Sequence, residues 1–127
     1  MSKRKVVLTA KAPQPKGPYS QAIAHNGILY ISGQGPMDPV TNKPINGTIE
    51  QETVRTLENI KAIILEAGGK LENILKVTCY LVNMEDFLDF NNAYKNYFIK
   101  EPPARTTIQA GRLPAGIKIE IDAIVAL

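Results

Sequence analysis

Ile117-Lys118-Ile119-Glu120-Ile121-Asp122-Ala123-Ile124-Val125 is the stretch on which the fold of this chain turns. Successive strand side chains point to opposite faces. Ile117, Ile119, Ile121, Ala123 and Val125 therefore share one face, while Lys118, Glu120 and Asp122 share the other, which becomes apolar at Ile124 and Ala126. The first face needs a covering layer. The second is half charged and half apolar, so part of it is expected to meet another subunit, with cyclic symmetry as the default arrangement.

Working outward, residues 5–9 read as a short strand. Residues 21–24 and 28–32 read as a hairpin, because Asn26-Gly27 supplies the positive-φ turn between them. Residues 33–47 form a long connection studded with Pro36, Pro39 and Pro44, and a loop of that length is commonly functional; a pocket wall is expected there. Residues 48–67 read as a helix with a Thr48/Gln51 capping box, an apolar stripe of Val54, Leu57, Ile60, Ile64 and Ala67, and a Gly68-Gly69 stop. Residues 75–82 are the next strand, with Val77, Cys79 and Leu81 on one face. A second helix is expected from Met84 to about Ile99, capped by Asn83 and Asp86, with Phe87, Phe90, Ala93, Tyr94, Tyr97 and Phe98 buried. Residues 104–109 precede the final strand. Helices that each connect strands imply an α+β layer with both helices on one face of the sheet.

At 127 residues the chain reads as one domain, 1–127, long enough to bury a core without staples. Its single cysteine and single histidine exclude an internal disulfide and argue against a structural metal site. A reducing, intracellular compartment fits best. The longest apolar runs are far too short to cross a bilayer, and no apolar stretch of the signal-peptide kind follows the basic residues. The net charge of +3 is too mild, and the run Lys3-Arg4-Lys5 too short, for a nucleic-acid arm; a solvated strand end accounts for it. Cys79 has no basic neighbour in sequence and reads as core.

The chemistry-bearing stretch is Pro102-Pro103-Ala104-Arg105-Thr106-Thr107-Ile108, followed by Glu120 between isoleucines. A rigid arginine grips a carboxylate through two parallel hydrogen bonds, and a glutamate orients or deprotonates a water. Together they point to a site for an organic acid on which water acts. The plainer alternative is an ordinary surface ion pair. Gly33, after Ser32, allows close backbone approach by a ligand. Tyr19 follows the Gly17-Pro18 turn, and Asn91 is a poor helix former on a helix. No phosphate-cradling loop, local Ser-His-Asp set or cofactor motif occurs, so cofactor-independent chemistry is expected.

Lys16-Gly17-Pro18-Tyr19-Ser20-Gln21-Ala22, Ile31-Ser32-Gly33-Gln34, Asn91-Asn92-Ala93-Tyr94, and Pro103-Ala104-Arg105 through Leu113-Pro114 to Ile119-Glu120-Ile121 follow one another in order. In these motifs, and over essentially its whole length, the chain resembles the reactive intermediate deaminase (RidA, YjgF-type) family. The resemblance implies a chorismate-mutase-like α+β fold and a cytoplasmic homotrimer with pockets between subunits. It implies hydrolysis of 2-imino acids and their 2-enamino tautomers, such as 2-iminobutanoate and 2-iminopropanoate, to 2-oxo acids and ammonia. It places substrate binding on Tyr19, Ser32, Gly33, Asn91, Arg105 and Thr107, and catalysis on Arg105 and Glu120. Thr107 stands where many bacterial members carry cysteine, which removes thiol chemistry from the expectation. An RNA-directed role and a non-catalytic metabolite-binding or chaperone-like trimer are the alternatives, with no membrane partner expected.

Overall fold

Asn26 (φ 51°) and Gly27 (φ 77°) form the turn of the hairpin between β2 (Ala22–His25) and β3 (Ile28–Gln34) in the computed structural model, which describes residues 3–127. Two successive left-handed residues match the natural twist of paired strands. The remaining strands are β1 (Lys5–Val7), β4 (Ile74–Leu81), β5 (Ala104–Gln109) and β6 (Ile119–Ala126). They form one sheet in the order β1-β2-β3-β6-β4-β5. Only the β4–β5 pair is parallel. The connection between those two strands passes through a helix, as parallel neighbours require.

The long helix α1 (Ile49–Glu66) and the short α2 (Phe87–Tyr94) join the inner faces of the strands in one core. Ile119, Ile121, Ala123 and Val125 of β6 and Val77, Cys79 and Leu81 of β4 are all buried there, as their alternation predicts. The fold is the expected α+β arrangement of a mixed sheet with two helices. Among the described residues no helix is long and apolar enough to cross a membrane.

Local departures from the sequence reading have physical causes. Thr48 caps α1 through the predicted reciprocal box with Gln51, but Val54 is 41% exposed. The buried stripe keeps the predicted Leu57, Ile60 and Ile64 and adds Thr53, Thr56 and Ile63, with Glu52 and Asn59 also sealed from solvent. An apolar-only stripe misses the polar part of this face, where Glu52 and Asn59 bond neighbouring segments and Thr53 bonds its own helix. The second helix is broken into a turn at Met84–Asp86, α2, and a turn at Lys95–Tyr97. Asn83 caps the first turn by accepting from the Glu85 N–H, whereas Asp86 makes no side-chain cap. The aromatic side is nonetheless as predicted: Phe90 and Tyr94 are buried, and Phe87, Tyr97 and Phe98 pack on the core.

β3 runs two residues further than its pattern indicates, because Ser32 and Gly33 bulge out between the Ile31–Ala123 and Gln34–Ile121 pairs of the β3–β6 ladder. Two residues there oppose the single Asp122. Bulges of this kind re-aim side chains at sites. β6 begins at Ile119, two residues late, because a tight turn at Pro114–Gly116 with Ala115 at φ 58° precedes it.

Candidate functional site

Glu120 lies between the buried Ile119 and Ile121 and so projects from the sheet face opposite the helices. There it stands against Gly33, where an added Cβ would collide with its carboxylate. Only glycine leaves room for that carboxylate beside the β3 backbone. Around the pair opens a cavity of about 250 Å³. Tyr19 and Lys16 from the proline-rich first loop border it, and Met37, Ala115 and Ile117 supply an apolar wall. Ser32 lies on the adjacent bulge, its Oγ donating to the Ser20 carbonyl at 2.6 Å. That bond ties β3 to the segment carrying Tyr19.

Burial, chiefly, and the charge of Asp122 two residues along the same face raise the Glu120 carboxyl above the ordinary carboxylate range. Asp122 is held by the Tyr80 hydroxyl, which donates to it at 2.9 Å. A base with a raised pKa is better matched to proton transfer near neutrality.

The loop between β3 and α1 that supplies Met37 folds on itself. The Asp38 N–H donates to the Lys43 carbonyl and the Ile45 N–H to the Pro36 carbonyl. Asp38 Oδ1 accepts from the Val40 and Thr41 N–H groups, which hold its carboxyl below the usual range.

The second group of candidate residues lies on the other side of the sheet. Arg105 on β5 is in register with Val77, and both face the helices. Its guanidinium carbon lies 4.7 Å from the ring centroid of Tyr94, 5.1 Å from that of Phe90 and 5.7 Å from that of Phe87. Three rings within cation–π range fix the cation without neutralising it. Among the described residues no carboxylate pairs with it. Near this cation three buried side-chain atoms lack hydrogen-bond partners: Asn91 Oδ1, Tyr94 Oη and Thr107 Oγ1. Buried polar atoms are normally satisfied; Arg55 Nε and Thr56 Oγ1 on α1 also lack partners, so the unmet capacity is divided between α1 and the elements around the unpaired cation.

The structure thus sorts the predicted residues into two sets. Tyr19, Ser32, Gly33 and Glu120 come together on the open face, and Asn91, Arg105 and Thr107 on the helix face. Within one chain Arg105 and Glu120 do not converge. β4 separates their strands and alternation sends them to opposite faces. This also disposes of the surface ion pair within the chain.

Met37 lies in the 33–47 loop where a pocket wall was expected, whereas sequence reading missed Tyr94 as a site neighbour and Ala115 and Ile117 as pocket wall. The aromatic period on α2 signals Tyr94 only as core, and wall residues carry no motif. Cys79 is fully buried and its thiol is pushed up to about 12, principally by burial, in agreement with a core role. A wider, shallow groove of about 470 Å³ between Thr9 and α1 is lined by Glu58, Lys61 and Glu66 and gathers none of the candidate residues.

Residues 9–127 match the sequence profile of the family described as Endoribonuclease L-PSP. A RutC family protein of Saccharolobus solfataricus is 45% identical over 121 residues, covering 95% of this chain and 96% of that protein. The 2-iminobutanoate/2-iminopropanoate deaminase of Bos taurus is 42% identical over 121 residues, covering 95% of this chain and 88% of its own length. Among solved structures, E. coli TdcF with bound serine superimposes with a TM-score of 0.92 at 33% identity, covering 97% of this chain and 98% of that one. With the profile match spanning nearly the whole sequence and the fold agreeing throughout, this chain belongs to the endoribonuclease L-PSP family, the YjgF- and RidA-type proteins.

Proposed function

We propose that this protein hydrolyses 2-imino acids and their 2-enamino tautomers, 2-iminobutanoate and 2-iminopropanoate among them, to 2-oxo acids and ammonia. The observation that carries the reading is the unpaired Arg105 guanidinium, stacked on three rings and bordered by unsatisfied polar atoms. A planar carboxylate is its natural complement. The relatedness to a bovine iminobutanoate deaminase and to a serine-bound E. coli protein supports an amino-acid-like ligand.

The active pocket in this reading lies between copies of the chain, in a cyclic homotrimer. Arg105 and Glu120 are on opposite faces, so one bound ligand meets both only where two copies meet. The open face favours such contact: Val6 and Tyr30 are 55% and 48% exposed, and Ile124 shares that side. Arg105 of one copy, with Asn91 and Thr107, holds the carboxylate. Ser32 and Gly33 of the next copy frame the imine end, and Tyr19 fixes its orientation.

The chemistry then needs little assistance, because an imine carbon is already electrophilic. Glu120 takes a proton from water as its oxygen bonds to the imine carbon and the C=N π electrons move to nitrogen. Glu120 passes that proton to the nitrogen, which gives the carbinolamine. Glu120 then takes the carbinolamine hydroxyl proton and delivers it to the same nitrogen as the C=O bond forms and the C–N bond breaks, so that ammonia leaves a 2-oxo acid and Glu120 is again a carboxylate. Positioning and one proton carrier suffice.

A coupled assay tests this: a pyridoxal-phosphate-dependent dehydratase generates the imine from threonine or serine, and 2-oxo acid release is timed. Acceleration by this protein that disappears in Arg105→Ala is the expected result. No acceleration contradicts the reading. RNA cleavage that survives Arg105→Ala would instead favour the activity in the family's description; the lone histidine, His25, is on β2 and does not line the Glu120 cavity.

A further inference from the structure

α1 carries an unusual amount of fully buried polarity for a core helix: Glu52, Thr53, Thr56 and Asn59 are all sealed from solvent. Thr53 bonds back to its own helix through Ile49 O. Asn59 and Glu52 instead reach outward, Asn59 directly to the loop that forms the pocket wall and Glu52 to it through Lys118. Asn59 Nδ2 spends both its protons on that loop, donating to the Gly35 carbonyl at 3.1 Å and the Met37 carbonyl at 2.9 Å. Its Oδ1 accepts from Arg55 Nη2 at 2.9 Å. Glu52 accepts from the Lys118 backbone N–H at 2.8 Å and from Lys118 Nζ at 3.2 Å. The same ammonium donates to the Gly47 carbonyl at 2.9 Å.

The loop is therefore tied to α1 near both ends, at Gly35 and Met37 through Asn59, and at Gly47 through Glu52 and Lys118. Lys118 directly follows Ile117, a wall residue, and precedes Glu120 by two positions in sequence. The loop's other bonds are mostly internal, apart from a two-bond tie in which the Asn42 side chain accepts from the Gln14 N–H and donates to the Gln14 carbonyl. Its placement against Gly33 and Glu120 accordingly depends on the two buried anchors. A carboxamide with all its donors engaged holds a wall more rigidly than apolar packing, because each bond is directional.

We propose that Asn59 and Glu52 are positioning residues that set the distance between the Met37–Ile117 wall and Glu120, and thereby select substrates by the length of their apolar side chain. This rests on the hydrolase reading and deepens it. Met37 and Ile117 meet the substrate's side chain, while the reacting carbon lies by Glu120. Loosening the wall penalises substrates whose side chain reaches it and leaves short ones alone.

Asn59→Asp is the discriminating variant. It keeps the shape and the bond from Arg55, but sets an acceptor against two carbonyl oxygens. In the full-length protein, amide exchange at Asp38, Asn42 and Ile45 is expected to accelerate. KM for 2-iminohexanoate is expected to rise about tenfold with kcat nearly unchanged, while KM for 2-iminopropanoate stays within about twofold. Glu52→Gln, which keeps an acceptor for the Lys118 N–H but removes the charge facing Nζ, should show the same pattern more weakly and carries the test if Asn59→Asp does not fold. Unchanged loop exchange, or an equal loss on both substrates, overturns the proposal. Wild-type protein inactive on every imino acid defeats the hydrolase reading instead, and the exchange measurement still decides whether the anchors hold the loop.

Discussion

On the helix-covered face of the sheet, Arg105 is packed over three rings with nothing negative bonded to it. On the open face, Glu120 stands over a glycine with a second carboxylate, Asp122, on the same strand. The first arrangement holds a cation where an anion is missing. The second holds a carboxylate that resists ionisation. Neither is complete alone: a cation without water chemistry only binds, and a raised carboxylate without an anchor has no substrate to act on. The sheet keeps the two apart within one chain, so the proposed function divides binding and proton transfer between surfaces that only two copies of the chain would bring together.

Removing the binding half should have the largest effect. Arg105→Ala is expected to lower kcat/KM on the order of 10³-fold, two charge-assisted hydrogen bonds being lost. The same change should cost only about 1 kcal/mol of stability, the worth of the ring contacts. Denaturant titration beside steady-state kinetics checks both. A stability loss large enough to explain the activity loss would turn Arg105 into a structural residue.

Disturbing the proton-carrying half should come next. In Gly33→Ala the new Cβ meets the end of the Glu120 side chain, so that side chain swings aside rather than the backbone breaking. A fall in kcat of about 10²-fold is expected with little change in thermal midpoint. Unfolding, or full activity, would show that Glu120 is not held as described.

The smallest effect lies in pH dependence. Glu120 is raised first by burial and second by Asp122. A carboxyl with a raised pKa favours the folded chain in its protonated form, so this contribution to stability is present at low pH and fades as pH rises through the folded pKa. Activity that needs the carboxylate runs the other way and falls as pH drops. Asp122→Asn removes the lesser cause only, so the acid limb of kcat/KM should move part of the way to lower pH. An unmoved limb would mean that Asp122 does not act on Glu120.

Much of this was legible in the residues. Alternation in β6 and β4 placed the core face correctly, Asn26-Gly27 gave the hairpin, and Thr48 with Gln51 gave the start of α1. The two site segments, Ser32-Gly33 and Arg105 to Thr107, were also visible as motifs. What stayed hidden depends on long-range pairing. Arg105 and Glu120 are fifteen positions apart, and their facing apart follows from the insertion of β4 between their strands, which no local pattern reveals. Val54 looked like core because hydrophobic period cannot register that Glu52 is buried by bonding to Lys118 and Asn59 by bonding to a distant loop. The bulge at Ser32-Gly33 likewise exists only in relation to β6.

Subunit complementation tests the central claim most directly. Arg105→Ala and Glu120→Gln proteins are each assayed alone, then unfolded together in equal amounts, refolded and assayed again. If each pocket takes its arginine from one copy and its glutamate from another, two nearly inactive parents should give about a quarter of wild-type activity on random mixing. A refolded mixture of mixed oligomers no more active than its parents would contradict the account.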